Sequence, residues 1–204
     1  MEKIVIRTLN GVWPMVLIFT SIIVLLRLFY LFCNKKKFVL HKELLMLFFV
    51  IYVLLLYYIV TFQDNNYGTN NFIPFKEIFR YKINTQLFYK NIVGNILLFI
   101  PFGLFLSYYI KPKSFLPPLF LSVSVSTLIE VVQSVIGRTA DVDDIILNSV
   151  GGIIGYLLYL FFNKISDKIP KKLKSSFVLD ILSLLFIFII MYMAIKFEFW
   201  RIIL

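Results

Sequence analysis

An all-α, polytopic membrane helix bundle of about six transmembrane helices, with one more amphipathic helix lying in the interface, is the fold class that three observations predict. Hydrophobic residues make up 60% of the 204 positions and charged residues only 16%, with a mean hydropathy of +0.89. An ordinary globular domain of that composition would be insoluble. Apolar runs of about 20 residues, the length a helix needs to cross a hydrocarbon core about 30 Å thick, recur along the chain. The connections between them are mostly short and basic, with the stretch from Phe62 to Lys90 as the exception.

The first expected span is 13–33, with no small-residue cleavage pattern and with Lys35, Lys36 and Lys37 as a stop-transfer flank, so it is read as uncleaved. Arg27 near its end reads as a side chain snorkelling to the interface. The second span is 43–61. After it, the polar run from Gln63 to Asn71 reads as a turn-rich loop, and Pro74 reads as the start of the interfacial helix. Phe75, Ile78, Phe79 and Ile83 would share one face of that helix, with Lys76, Glu77 and Arg80 on the other. The third span, 91–110, carries Asn91 and Asn95 four apart, then Pro101, which frees a backbone carbonyl and bends the rod.

The fourth span, 116–136, holds Ser122, Ser126, Glu130 and Gln133, whose steps of four, four and three form one polar stripe. The fifth, 144–163, opens behind Asp141, Asp143 and Asp144 and carries Asn148 one turn deeper, expected level with Glu130 across the hairpin. Gly151 and Gly155 form a small-xxx-small step that permits close helix contact. The sixth is 177–196, and residues 1–204 read as a single integral membrane domain.

The net charge of +10 would fit a nucleic-acid binder only if it were gathered on one solvated domain. Here the basic residues sit between hydrophobic spans, so no nucleic-acid partner is expected and the membrane accounts for the charge. Lysines crowd the first, third and fifth connections, which the positive-inside rule makes cytoplasmic. Both termini, the long second loop and the acidic fourth loop then lie outside. Cys33 and His41 are each the chain's single residue of their kind, which excludes a disulfide framework, a thiolate cluster and histidine-based catalysis or zinc ligation. His41 reads as a solvated interfacial residue.

Function belongs where polar groups converge at membrane depth, because ionisable side chains are costly there. The predicted binding set is Asn95, Glu130, Gln133, Arg138, Asp141, Asp143, Asp144 and Asn148, with Glu130, Asp143 and Asp144 as the candidate catalytic groups. Two plainer readings compete with it. Glu130 and Gln133 would serve as interhelical hydrogen-bonding glue, and the aspartates as caps at the positive end of the fifth helix. No confident metal ligand set and no cofactor motif is present.

The segments Asn71-Phe72-Ile73-Pro74-Phe75, Gly94 to Gly103, Ile129 to Gln133, Arg138 to Asp144 and Asn148 to Gly152 resemble, in that order and spacing, the VanZ-like family. The resemblance covers about residues 70–160. It implies a multi-pass protein of the bacterial cytoplasmic (inner) membrane associated with resistance to glycopeptide antibiotics such as teicoplanin. Three mechanisms stay open. In the first, an extracytoplasmic polar pocket acts on a lipoglycopeptide antibiotic, a membrane lipid or a lipid-linked cell-wall precursor. In the second, an intramembrane enzyme works on a lipid-linked or phosphorylated envelope substrate, with Glu130 as acid or base and Asp143 and Asp144 on a hard cation such as Mg²⁺. In the third, the polar groups only fix helix packing in a partner-binding subunit.

Overall fold

The computed structural model describes residues 2–62, 70–185, 187–188 and 192. Its helices are α1 (Glu2–Cys33), α2 (Leu40–Phe62), α3 (Lys76–Arg80), α4 (Gln86–Phe88), α5 (Gly94–Ile110), α6 (Leu116–Val135), α7 (Val142–Lys168) and α8 (Ser176–Leu185). Among the described residues five stretches are long and apolar enough to cross a membrane: Trp13–Cys33, Leu40–Tyr58, Gln86–Ile110, Leu116–Val135 and Val142–Lys168. The sixth expected span begins as α8, and most of its second half lies outside the described residues. The fold is an all-α membrane bundle, and the expected polar run of the second loop falls at 63–69, also outside them.

Helix ends follow from local chemistry. Lys35 and Lys111 take positive φ (49° and 52°) immediately beyond α1 and α5 and turn the chain away. Pro117 and Pro118 sit in the first turn of α6, where a missing N–H costs nothing. Gly137, at φ +83°, ends α6 in a Schellman turn: its N–H donates to the Ser134 carbonyl (3.2 Å) and the Arg138 N–H donates to the Gln133 carbonyl (2.9 Å). That turn aims Arg138 toward the start of α7. The third span is longer than expected, because Thr85 caps α4 through its hydroxyl and a π-helical turn, Tyr89–Val93, carries α4 without a break into α5.

Glycine sets the centre of the bundle. A Cβ built on Gly103 would fall inside the Gly152 backbone, one on Gly151 would strike the Ile96 carbonyl, and one on Gly155 would strike the Ile100 carbonyl. α5 and α7 therefore run with their backbones in contact along the Gly151–Gly155 step and its Gly152 neighbour. Gly152 also receives the Ser122 side chain of α6. Beside this seam Leu56, Phe99 and Phe102 form a buried apolar cluster, with Phe49 and Tyr52 packed on it. The Tyr52 hydroxyl donates to the Leu98 carbonyl, so α2 is fastened to α5 one turn before Pro101. The carbonyl that Pro101 itself frees is that of Leu97, one residue before the one Tyr52 holds.

In the first half Arg27 has a partner that the sequence did not name: its Nε and Nη2 donate to the two Glu43 carboxylate oxygens at 2.8 and 3.0 Å, and its guanidinium lies 5.4 Å from the Tyr30 ring centroid. A planar fork matches the two oxygens of a carboxylate. One expectation there is corrected. His41 is half-buried, with its backbone N–H and its Nδ1 both 2.8 Å from the Asp180 Oδ1, and so ties the start of α2 to α8. The exposure of Leu25, Leu26 and Phe29 on α1 is the ordinary outward face of a membrane helix.

Candidate polar cavity at the α6–α7 end

The alternation of spans brings the N-terminal end of α5, the C-terminal end of α6 and the N-terminal end of α7 to one end of the bundle, and there the polar residues meet. Asn71 begins the assembly. Its backbone pairs with the chain at Asp141 as an isolated parallel bridge, its N–H donating to the Ala140 carbonyl (2.9 Å) and its carbonyl accepting from the Val142 N–H (3.0 Å). Its amide donates to the Asp141 carboxylate (2.8 Å), and its side-chain oxygen accepts from the Ile73 N–H (3.2 Å) in an Asx turn. The turn steers the chain into α3. The helix begins at Lys76, after Phe75 in a left-handed conformation (φ 66°), and not at Pro74 as expected.

Asp141 is the N-cap of α7, its carboxylate accepting from the Asp143 N–H at 2.9 Å, as the capping reading expects. Burial pushes its carboxyl above the usual aspartate range, with the Asp143 amide and Asn71 opposing the shift. Asp143 does something that capping of its own helix does not explain. Only 1% exposed, it accepts backbone N–H groups from Phe75 (2.5 Å), Glu77 (2.7 Å) and Ile78 (3.2 Å), holding the first turn of α3 against the start of α7. Asp144 takes the Asn95 amide at 2.5 Å, joining α7 to α5. The Glu130 carboxylate accepts the Asp141 N–H at 2.7 Å, joining α6 to the cap.

Asn148 does not join these groups. Its amide donates to the Ser126 hydroxyl at 2.8 Å, one turn deeper than Glu130, so the expected level pairing of Asn148 with Glu130 is displaced by a turn. Among the described residues its Oδ1 and the Ser122 hydroxyl are buried side-chain atoms with no hydrogen-bond partner.

Above the carboxylates opens a cavity of about 1240 Å³ between α3, the α3–α5 connection and the α6–α7 turn. Of the predicted set, Gln133, Arg138, Asp141, Asp143 and Asp144 line it; Glu130, Asn95 and Asn148 stand behind the wall. Sequence reading did not place Asn71, Lys82, Tyr81 or Asn91 in it, yet all line it, together with Lys76, Glu77 and Arg80. The signal for Asn71 was an asparagine two residues before an Ile-Pro step, an Asx-turn position; Lys82 left no local signal. Tyr81 is hydrogen-bonded to Asn91, and burial with the nearby Glu77 carboxylate pushes its phenol above the ordinary range. Among the described residues, no three His, Cys, Asp or Glu side chains gather as a metal-holding group.

Comparisons with known proteins agree with this architecture. The family model described as VanZ/LLP1 matches residues 44–163, from the start of α2 nearly to the end of α7, a range wider than the quoted motifs. Protein VanZ of Enterococcus faecium is 38% identical over 78 residues, 37% of this chain. That alignment spans 48% of the relative's length. No solved structure matches. With the family model covering more than half of the chain, this multi-pass membrane protein belongs to the VanZ-like family.

Proposed function

We propose that this protein lowers the effect of lipid-tailed glycopeptide antibiotics such as teicoplanin from the outer face of the bacterial cytoplasmic membrane, through the polar cavity between α3 and the α6–α7 turn. One observation carries the reading. A chain under pressure to hide polar groups keeps a large open cavity walled by them, and it uses the buried carboxylates Asp143 and Glu130 and the half-buried Asp144 to hold that wall in place. Orientation comes from charge: the lysine-rich turns after α1, α5 and α7 occupy the end opposite the cavity, and the positive-inside rule makes that end cytoplasmic. A cavity open to the outside meets a lipid-tailed drug, a lipid or a lipid-linked cell-wall precursor without any of them crossing the membrane.

The three acids are positioning residues in this reading, because each already accepts from a backbone or amide donor. The test is the teicoplanin inhibitory concentration, with vancomycin as the control lacking a lipid tail. Cells would express wild type, the Arg80→Gln, Lys82→Gln double variant, or Asp143→Asn, at matched membrane levels. Protection by wild type and its loss in the variants is expected. Full protection by the double variant at equal abundance would remove the cavity from the mechanism.

A further inference from the structure

The charge on the cavity wall is sorted by depth. Its acids are turned inward and engaged: Asp143 on three α3 amides, Asp144 on Asn95, Asp141 on Asn71 and the Asp143 amide, and Glu77 on Arg80 (3.1 Å). Lys76 and Lys82 stand exposed along the α3 side, Arg80 stands exposed beside them with Glu77 as its ion-pair partner, and half-buried Arg138 lines the wall formed by the α6–α7 turn. Positive charge therefore meets whatever arrives at the mouth, while negative charge is spent on holding the scaffold. The rim is also oily. Leu87 lines the cavity and is 59% exposed, and Ile83, next in the chain after the lining residue Lys82, is 74% exposed.

We infer that this cavity binds a phosphate or pyrophosphate group, carried by an anionic membrane amphiphile whose chain lies along the Ile83–Leu87 rim. Guanidinium and ammonium groups from two separate segments can converge on a phosphate, Arg as a planar fork and Lys as a point charge. Tyr81 and Asn91 add neutral hydrogen-bonding groups on the same wall. The volume exceeds what a bare phosphate fills, and the apolar rim would go unused by a free ion. Both features favour the amphiphile over free phosphate as the source. This inference deepens the reading above, since it names what the cavity takes.

The test uses the full chain in phosphatidylcholine nanodiscs, with phosphatidic acid added to the disc in one arm and inorganic pyrophosphate in solution in the other. Binding is read by calorimetry for pyrophosphate and by the unfolding midpoint for both. Phosphatidic acid should raise the midpoint, and the Arg80→Gln, Lys82→Gln double variant should weaken binding about tenfold or more, as loss of one or two charge-assisted hydrogen bonds requires. Lys164→Gln, an exposed change at the other end of α7, should bind as wild type. Arg138→Gln, measured separately, serves if the double variant fails to fold. A response to phosphatidic acid alone assigns the lipid, and a response to pyrophosphate as well shows that the phosphate suffices; both support the site. No response in either arm, or undiminished binding by both variants, overturns it. Wild-type protein that binds neither probe, with teicoplanin protection still lost in the double variant, would sink this inference and leave the proposed function standing. Binding without protection would do the reverse.

Discussion

The α5–α6–α7 region and the α1–α2 hairpin solve the same problem, holding apolar helices together in a solvent as apolar as they are, in opposite ways. In the first, glycines bring backbones into contact and buried polar side chains bond across the seam, and 39% of the best window of α7 is inside the protein. In the second only 6% of each apolar stretch is buried, and one bidentate ion pair joins the two helices. The VanZ/LLP1 match begins at residue 44 and ends at 163, so it takes in the glycine seam and leaves out α1. Precise backbone approach belongs to the part that builds the cavity; the hairpin needs only to stay attached. Small residues license the one arrangement and a single strong polar contact the other.

The sharpest way to break this contrast is to add a methyl group at the seam. Gly103→Ala would place a Cβ inside the Gly152 backbone, and neither helix can yield without moving Gly151 and Gly155 off their carbonyl contacts. The expected cost is on the order of 3 kcal/mol, the upper end for overpacking, and is read as loss of monodisperse protein on heating in detergent. Leu25→Ala on α1, at a side chain 66% exposed, should stay within about 0.5 kcal/mol in the same assay. Comparable losses from both would mean that the two regions do not differ in how tightly they are specified.

Asp143 is the next largest effect, and a local one. Asp143→Ala leaves the Phe75, Glu77 and Ile78 amides without their acceptor, a penalty of about 3 kcal/mol, with α3 released from α7. Asp143→Asn keeps one acceptor oxygen and should lose about half of that. Hydrogen exchange separates this from global unfolding: the α3 amides should exchange faster while those of α5 and α7 stay protected. Unchanged α3 protection in the alanine variant would show that the carboxylate is not what holds the helix.

The hairpin is tested by a double-mutant cycle on Arg27→Gln and Glu43→Gln. A coupling of about 1–2 kcal/mol is expected for one bidentate pair between membrane helices, smaller than either effect above. A coupling near zero would leave ordinary side-chain contact as the fastening.

How much of this was legible beforehand follows the range of the interactions. Spans were readable because length and hydropathy are properties of a segment, and the Ser122–Ser126–Glu130–Gln133 stripe because helical period is local; all four of those side chains are buried in the bundle. The Asp141 cap was readable for the same reason. What escaped was contact between segments far apart in sequence: Asp143 reaching amides 65–68 positions away, Asn71 bridging to Asp141, and Arg27 finding Glu43. Each of those side chains carried the right chemistry, but nothing near it named the partner. His41 was misread in the same way, because its Asp180 partner lies 139 positions on.

The smallest effect expected distinguishes holding a wall from carrying charge. Asp141 sits where burial favours its protonated form, so its folded-state pKa lies above the 3.8 of an unperturbed aspartate. The folded protein therefore binds this proton more tightly than the unfolded chain. Its contribution to stability is complete below 3.8 and is lost as pH rises through the higher folded value. Asp141→Asn keeps an oxygen for the Asp143 amide and for Asn71 but cannot ionise, so its unfolding midpoint should fall less than that of wild type as pH rises from 3.8. The difference between the two slopes isolates Asp141 from the other acids of the cavity. Equal slopes would mean that the Asn71 and Asp143 bonds cancel the effect of burial and leave the carboxylate charged above its ordinary range, and the wall would then present one more negative charge to any anion in the cavity.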